Sequence, residues 1–201
     1  MLPLLLALAG GASTFPYESL ATPASCTAPE WPREALRYEI EGTTTLQFQV
    51  GADGAVRNAE VKQGSGWNIL DQAALAGLAR CRFKPGLAAA REGTVFPLQY
   101  AWTLEGPAPL RPMLLPGSCG PSPRFLRYDN LDQRADGRAS IKLRFLVDAE
   151  GKAQRIVPEA AHFDAAVVRD AVNWLQTCRF GISPKASGAR TDTSFGRVVL
   201  R

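Results

Sequence analysis

Phe48-Gln-Val-Gly-Ala-Asp-Gly54, followed 27 residues later by Cys81-Arg82-Phe83, decides the fold, because the chain writes it twice. The second version is Phe145-Leu-Val-Asp-Ala-Glu-Gly151, again 27 residues ahead of Cys178-Arg179-Phe180. An interval held to the residue across a turn, a strand and a helix marks two copies of one structural unit. A duplicated small module reads as a binding or scaffolding device rather than as an enzyme.

Working outward, each copy reads as strand, strand, helix, strand. Leu46, Phe48 and Val50 alternate with polar neighbours, and Ile141, Leu143, Phe145 and Val147 do the same, the period of a half-buried strand. Ala52-Asp53-Gly54 and Ala149-Glu150-Gly151 are hairpin turns, with glycine supplying positive φ. Second strands follow around Val56–Lys62 and Ala153–Val157. Leu70, Ala73, Ala74, Gly77, Leu78 and Cys81 form one face of a helix with Asn68 as its cap, ended by Lys84-Pro85-Gly86. Asp164, Val167, Val168, Ala171, Val172, Leu175 and Cys178 repeat that face. Final strands are expected over Thr94–Leu104, with Phe96, Leu98, Tyr100, Trp102 and Leu104 on one side, and over Thr193–Leu200. Pro97 cannot donate to a ladder and marks an edge strand or a strand end.

The four cysteines recur with the module, Cys26 and Cys81 in one copy, Cys119 and Cys178 in the other. Three pairings are open; the repeat favours Cys26–Cys81 and Cys119–Cys178, one bridge per copy in an oxidising compartment. Closing such loops contributes about 4 kcal/mol each in the chain-entropy model. Zinc would want CxxC spacing, which is absent, and lipid modification of Cys26 would orphan Cys81. Leu2–Ala12 is an apolar run with the length of a secretory h-region and far short of a membrane span. Export to the periplasm is therefore expected, with residues 1–24 as leader, 25–105 as the first domain, 106–118 as a Pro-rich linker and 119–201 as the second domain. Met113-Leu114-Leu115 of the linker is expected to dock on one of the domains.

Charge is unevenly spread: residues 1–105 carry 8 Lys/Arg against 10 Asp/Glu, and residues 106–201 carry 15 against 9. The basic second half, with Arg124, Arg127, Arg134 and Arg138 grouped before its first strand, is a charged face first and a contact for an anionic polymer second.

The ordered set Trp31-Pro32-Arg33-Glu34-Ala35, Glu41-Gly42-Thr43-Thr44, Asp53-Gly54, Ser65-Gly66, Leu70-Asp71-Gln72-Ala73-Ala74-Leu75, Arg82-Phe83-Lys84-Pro85 and Phe96-Pro97-Leu98-Gln99-Tyr100 resembles the C-terminal domain of TonB-family energy transducers. The second copy keeps Asp136-Gly137, Glu150-Gly151 and Arg179-Phe180 and is diverged elsewhere, with Ala161-His162 and Phe163-Asp164 in place of the Ser-Gly and Leu-Asp signals. The resemblance implies an α+β fold: two tandem domains, each a small antiparallel three-stranded sheet with helices packed on one face. It also implies capture of an extended partner segment by strand addition at a sheet edge. In this sequence that edge is Val95, Pro97, Gln99, Ala101 and Thr103.

Catalysis is not expected. His162 is the single histidine and reads as a surface or capping residue. Gly64-Ser65-Gly66 lacks the spacing of a nucleophile elbow. Asp71 reads as a helix first-turn acid. No phosphate loop or metal cluster is written, so neither cofactor nor metal is expected. Expected partners are another envelope protein or peptide segment, with a second copy of the chain pairing edge to edge as a variant, and not nucleic acid. The alternative class is a structural envelope component touching cell wall, or a secretion or transport assembly, through the basic second domain. An inhibitor or immunity protein is a third.

Overall fold

Tight glycine turns organise both hairpins of the computed structural model, which describes residues 15–87, 93–131, 136–160 and 162–201. The chain divides into two compact units, Met1–Glu105 and Gly106–Arg201. Most of the expected leader lies outside the described residues. Among those described, no helix is long and apolar enough to cross a membrane.

In the first unit, β1 (Gly42–Val50) turns through Gly54 into β2 (Val56–Gln63). Gly54 has φ +76°, and its carbonyl accepts the Phe83 N–H at 2.8 Å. A Cβ at this position would stand 2.1 Å from the Phe83 carbonyl oxygen, so the turn has room for glycine alone. This contact joins the Asp-Gly and Arg-Phe signals of the sequence. A short helix α1 (Arg33–Arg37) precedes β1; α2 (Asn68–Ala79) and β3 (Phe96–Trp102) follow the hairpin. The sheet is antiparallel in the order β2-β1-β3. Its inner face (Leu46, Phe48, Phe96, Leu98, Tyr100, Trp102) and the α2 residues Leu70, Ala74 and Leu78 are all buried. Asn68 proves to be the first helical residue, with Trp67 at the cap position and no capping side chain.

In the second unit, β4 (Met113–Leu114) and β5 (Phe125–Asn130) precede the hairpin of β6 (Ser140–Val147) and β7 (Ala153–Glu159). Then come α3 (Ala165–Leu175), β8 (Phe180–Gly181) and β9 (Thr193–Leu200). Gly151 repeats the glycine turn at φ +76°, with the Phe180 N–H donating to its carbonyl at 2.8 Å. Asp164 caps α3, its carboxylate accepting the Ala166 N–H at 2.7 Å.

The expected three-stranded sheet is corrected here to four strands in the order β5-β9-β6-β7. Phe125 and Tyr128 are buried in the core beside Phe145, Phe180 and Val198, which draws the chain after Cys119 into a strand. The corresponding chain after Cys26 instead forms α1, burying Ala35. Residues 106–118, expected as a linker, run along this unit. Leu110 bridges to Arg190, β4 pairs with β8, and the Ser194 hydroxyl donates to the Pro112 carbonyl at 2.8 Å. Disulfides join Cys26 to Cys81 and Cys119 to Cys178.

Candidate functional site

The outer edge of β3 is built by alternation. Phe96, Leu98, Tyr100 and Trp102 point into the core, leaving Pro97, Gln99 and Ala101 half-exposed on the opposite face. The pairing with β1 runs without a register shift from Gly42↔Trp102 to Phe48↔Phe96. Pro97 sits in that ladder opposite Gln47, and proline is tolerated in a strand where its N–H side faces away from the sheet. Gln99 and Ala101 share its parity, so their N–H groups face outward as well. Val95, 46% exposed, and the exposed Thr103 flank the strand just beyond its ends. The Gln99 amide donates to the Thr45 hydroxyl at 3.2 Å, holding the outer face flat against β1.

The other sheet edges differ. In β2 one extra residue is accommodated opposite Gln47–Gln49, and in β7 opposite Arg144–Leu146. Asn58 and Arg155, both at φ +48°, lie within these bulges. A bulge twists an edge away from further pairing. The outer side of β9 is taken by β5, itself the other edge of that sheet, and the pairing of β5 is broken by a register shift between Phe125 and Arg127. Among the described strands of the two main sheets, β3 therefore offers the one straight, uncovered edge.

Behind this edge, Asp71 performs a task that sequence reasoning missed. Its carboxylate accepts the Ser65 N–H and the buried Thr44 hydroxyl, each at 2.8 Å. The helix α2 is thereby fastened both to the Ser65-Gly66 turn and to β1. Gly42 and Gly64 flank the cluster, and a Cβ on either would press on Ser65 or Asp71 at under 3.0 Å. Spacing on α2 showed only a first-turn acid; the partners lie in other elements. Ser65 itself is held by the Trp67 backbone, its hydroxyl donating to the carbonyl and accepting the N–H. Burial pushes the Tyr100 phenol up to about 12, Tyr17 adding a smaller repulsive contribution.

The basic cluster is not a row of bare cations. Arg124 pairs with Asp170 at 3.0 Å, Arg127 with Asp129 and Asp136 at 2.7 and 2.9 Å, and Arg138 with Asp136 at 3.3 Å. The Asp136 carboxyl is held below its usual range chiefly by the Arg127 hydrogen bond. Arg134 lies outside the described residues. His162 is exposed in the turn before α3.

The model of the Gram-negative bacterial TonB protein C-terminal family matches residues 27–102, the span that holds α1, the hairpin, α2 and β3. The first unit belongs to the TonB C-terminal family. This TonB C-terminal unit is also similar to protein tonB2 of Pseudomonas aeruginosa, 41% identical over 58 residues. That match covers 29% of this chain and 22% of the relative, so the chain spans about a fifth of the length of the curated relative it matches. Among solved structures, the solution structure of the Pseudomonas aeruginosa TonB C-terminal domain aligns at 18% identity and a TM-score of 0.35. It covers 52% of this chain and 90% of that one. TonB C-terminal domains are non-enzymatic interaction modules, and the two disulfides agree with an envelope location for this one.

Proposed function

We propose that the chain is a periplasmic, non-catalytic binding protein that captures an extended segment of another envelope protein by adding it as a strand to the outer edge of β3. The observation that carries this reading is that edge itself, straight and uncovered where the other sheet edges are bulged or occupied. Backbone hydrogen bonds from the outward groups of Gln99 and Ala101 supply affinity, and the side chains of Val95, Pro97 and Thr103 shape selectivity. The second unit is read as a diverged tandem copy. Family membership of the first unit and its likeness to protein tonB2 support a role in envelope transport.

The test is capture from an envelope extract by the full chain, at low and high salt, with the wild type and Gln99→Pro. Proline at 99 removes an outward N–H of Pro97's parity and leaves the β1–β3 ladder whole. The expected result is a defined protein retained at high salt and bound at least tenfold less by a variant with unchanged melting. Capture of wall polymer that fades with salt, indifferent to Gln99→Pro, would instead support the basic second unit as the contact and overturn the proposal.

A further inference from the structure

The second unit carries a strand site of its own, already filled. Register equates the two central ladders: Phe48 faces Phe96 and Leu46 faces Leu98 in the first unit, while Phe145 faces Ser194 and Leu143 faces Gly196 in the second. Where β3 sends large side chains into the core, β9 has a hydroxymethyl and a hydrogen. The missing volume is restored from outside the hairpin–helix–strand frame. Tyr128 of β5 packs edge-on against Phe180 and Phe145, with ring centroids 5.4 and 6.1 Å away. In the first unit the matching pair Phe48 and Phe83 is covered by Phe96, and by Phe15 from the N-terminal segment.

Gly196 is the socket for this ring. A Cβ there would lie 2.2 Å from the Tyr128 hydroxyl oxygen and 2.5 Å from the Asp129 carbonyl oxygen. Any side chain at 196 would thus expel both the ring and the backbone of the strand that carries it. On the outer face Arg127 pairs with Asp129, and Asp129 lies 3.8 Å from Arg197 of β9, which sets the register. Among the described strands, β5 pairs with β9 alone, and antiparallel.

We propose that the outer edge of β9 is a strand-binding site occupied in cis by β5, and that its ligand class is an antiparallel extended segment placing an aromatic ring over Gly196. The Cys119–Cys178 bridge anchors the chain six residues ahead of Phe125. It holds β5 at an effective concentration on the order of millimolar, which a strand arriving from another molecule must exceed. The site therefore stays closed to outside partners. This inference rests on the second unit alone, and its failure leaves the β3 reading standing.

The test uses the full oxidised chain and a fluorescent peptide of residues Ser122–Leu131. The wild type should bind the peptide poorly, because the site is full. The double variant Phe125→Ser/Tyr128→Ser, which releases β5, should bind it one to one. Adding Gly196→Val should weaken that binding at least tenfold, as should alanine for tyrosine in the peptide. Peptide binding indifferent to Gly196→Val overturns the proposal. Where the double variant fails to fold, hydrogen exchange on the wild type decides. Amides of β5 that exchange sooner than those of β6 and β9 support a separable ligand strand; exchange only with global unfolding makes β5 an obligatory part of the core and overturns it.

Discussion

Asp71 shows how much one carboxylate can organise. It accepts two hydrogen bonds from two different elements at 2.8 Å, and charge-assisted bonds of this kind exceed neutral ones. Asp71→Ala leaves the buried Thr44 hydroxyl and the Ser65 N–H without their acceptor, a loss of about 2 kcal/mol for the first unit in urea unfolding. A loss under about 0.5 kcal/mol would return Asp71 to the role of a helix-end acid. Tyr100 makes a second prediction, in pH. Its folded-state value of about 12 lies above the unfolded value near 10, so the folded state holds the proton more tightly. The associated stability is fully present below pH ~10 and is lost as pH rises toward 12. Alkaline unfolding followed by circular dichroism should show this slope, and Tyr100→Phe should flatten it. Residue identity made the burial of Tyr100 legible through alternation. The role of Asp71 was not legible, since nothing in one helix names a partner 27 residues away in another strand.

At the scale of the element, periodicity located the hairpins, both long helices and the final strands, because each shows one clean face over many residues. It failed for β5. Pro121 and Pro123 precede that strand, and a register shift between Phe125 and Arg127 breaks its alternation, so Phe125 and Tyr128 fall three apart and hide the period of two. The bulges in β2 and β7 were equally silent, since Asn58 and Arg155 do not announce a positive φ. They are testable through it. A β-branched residue is strained in this region by roughly 1–2 kcal/mol, whereas glycine is at ease. Arg155→Val should destabilise the second unit by about that amount in denaturant titration, and Arg155→Gly should cost little or nothing. Equal effects of the two would remove the bulge as the reason for the backbone geometry.

Across the whole molecule, the duplicated sequence signals fall at matching places in the two units. In each, a bridge ties the segment just beyond the helix's C-terminus, not its last turn as the periodicity suggested, to the segment before the first main strand. The two loops close 55 and 59 residues, so reduction of both bridges should lower each unit's stability by about 4 kcal/mol in the chain-entropy model. Thermal melts with and without reductant check this, and unchanged melting would show the bridges to be redundant. The sequence also made the edge of β3 legible, through Pro97. That the matching edge of β9 is closed could not be read, because it depends on which strand finds Gly196.

The order in which the second unit's strands are made has a kinetic consequence. Tyr128 pairs with Val198, among the most distant partnerships in the chain, and such long-range contacts slow folding. β5 is synthesised well before β9, the strand it must seal, so for part of its life it is an unpaired strand with the rings of Phe125 and Tyr128 uncovered. Oxidation of Cys119 with Cys178 ahead of sheet closure would shorten the search that β5 has to make. Folding of this unit should therefore be faster, and less prone to aggregate, when the bridge forms early.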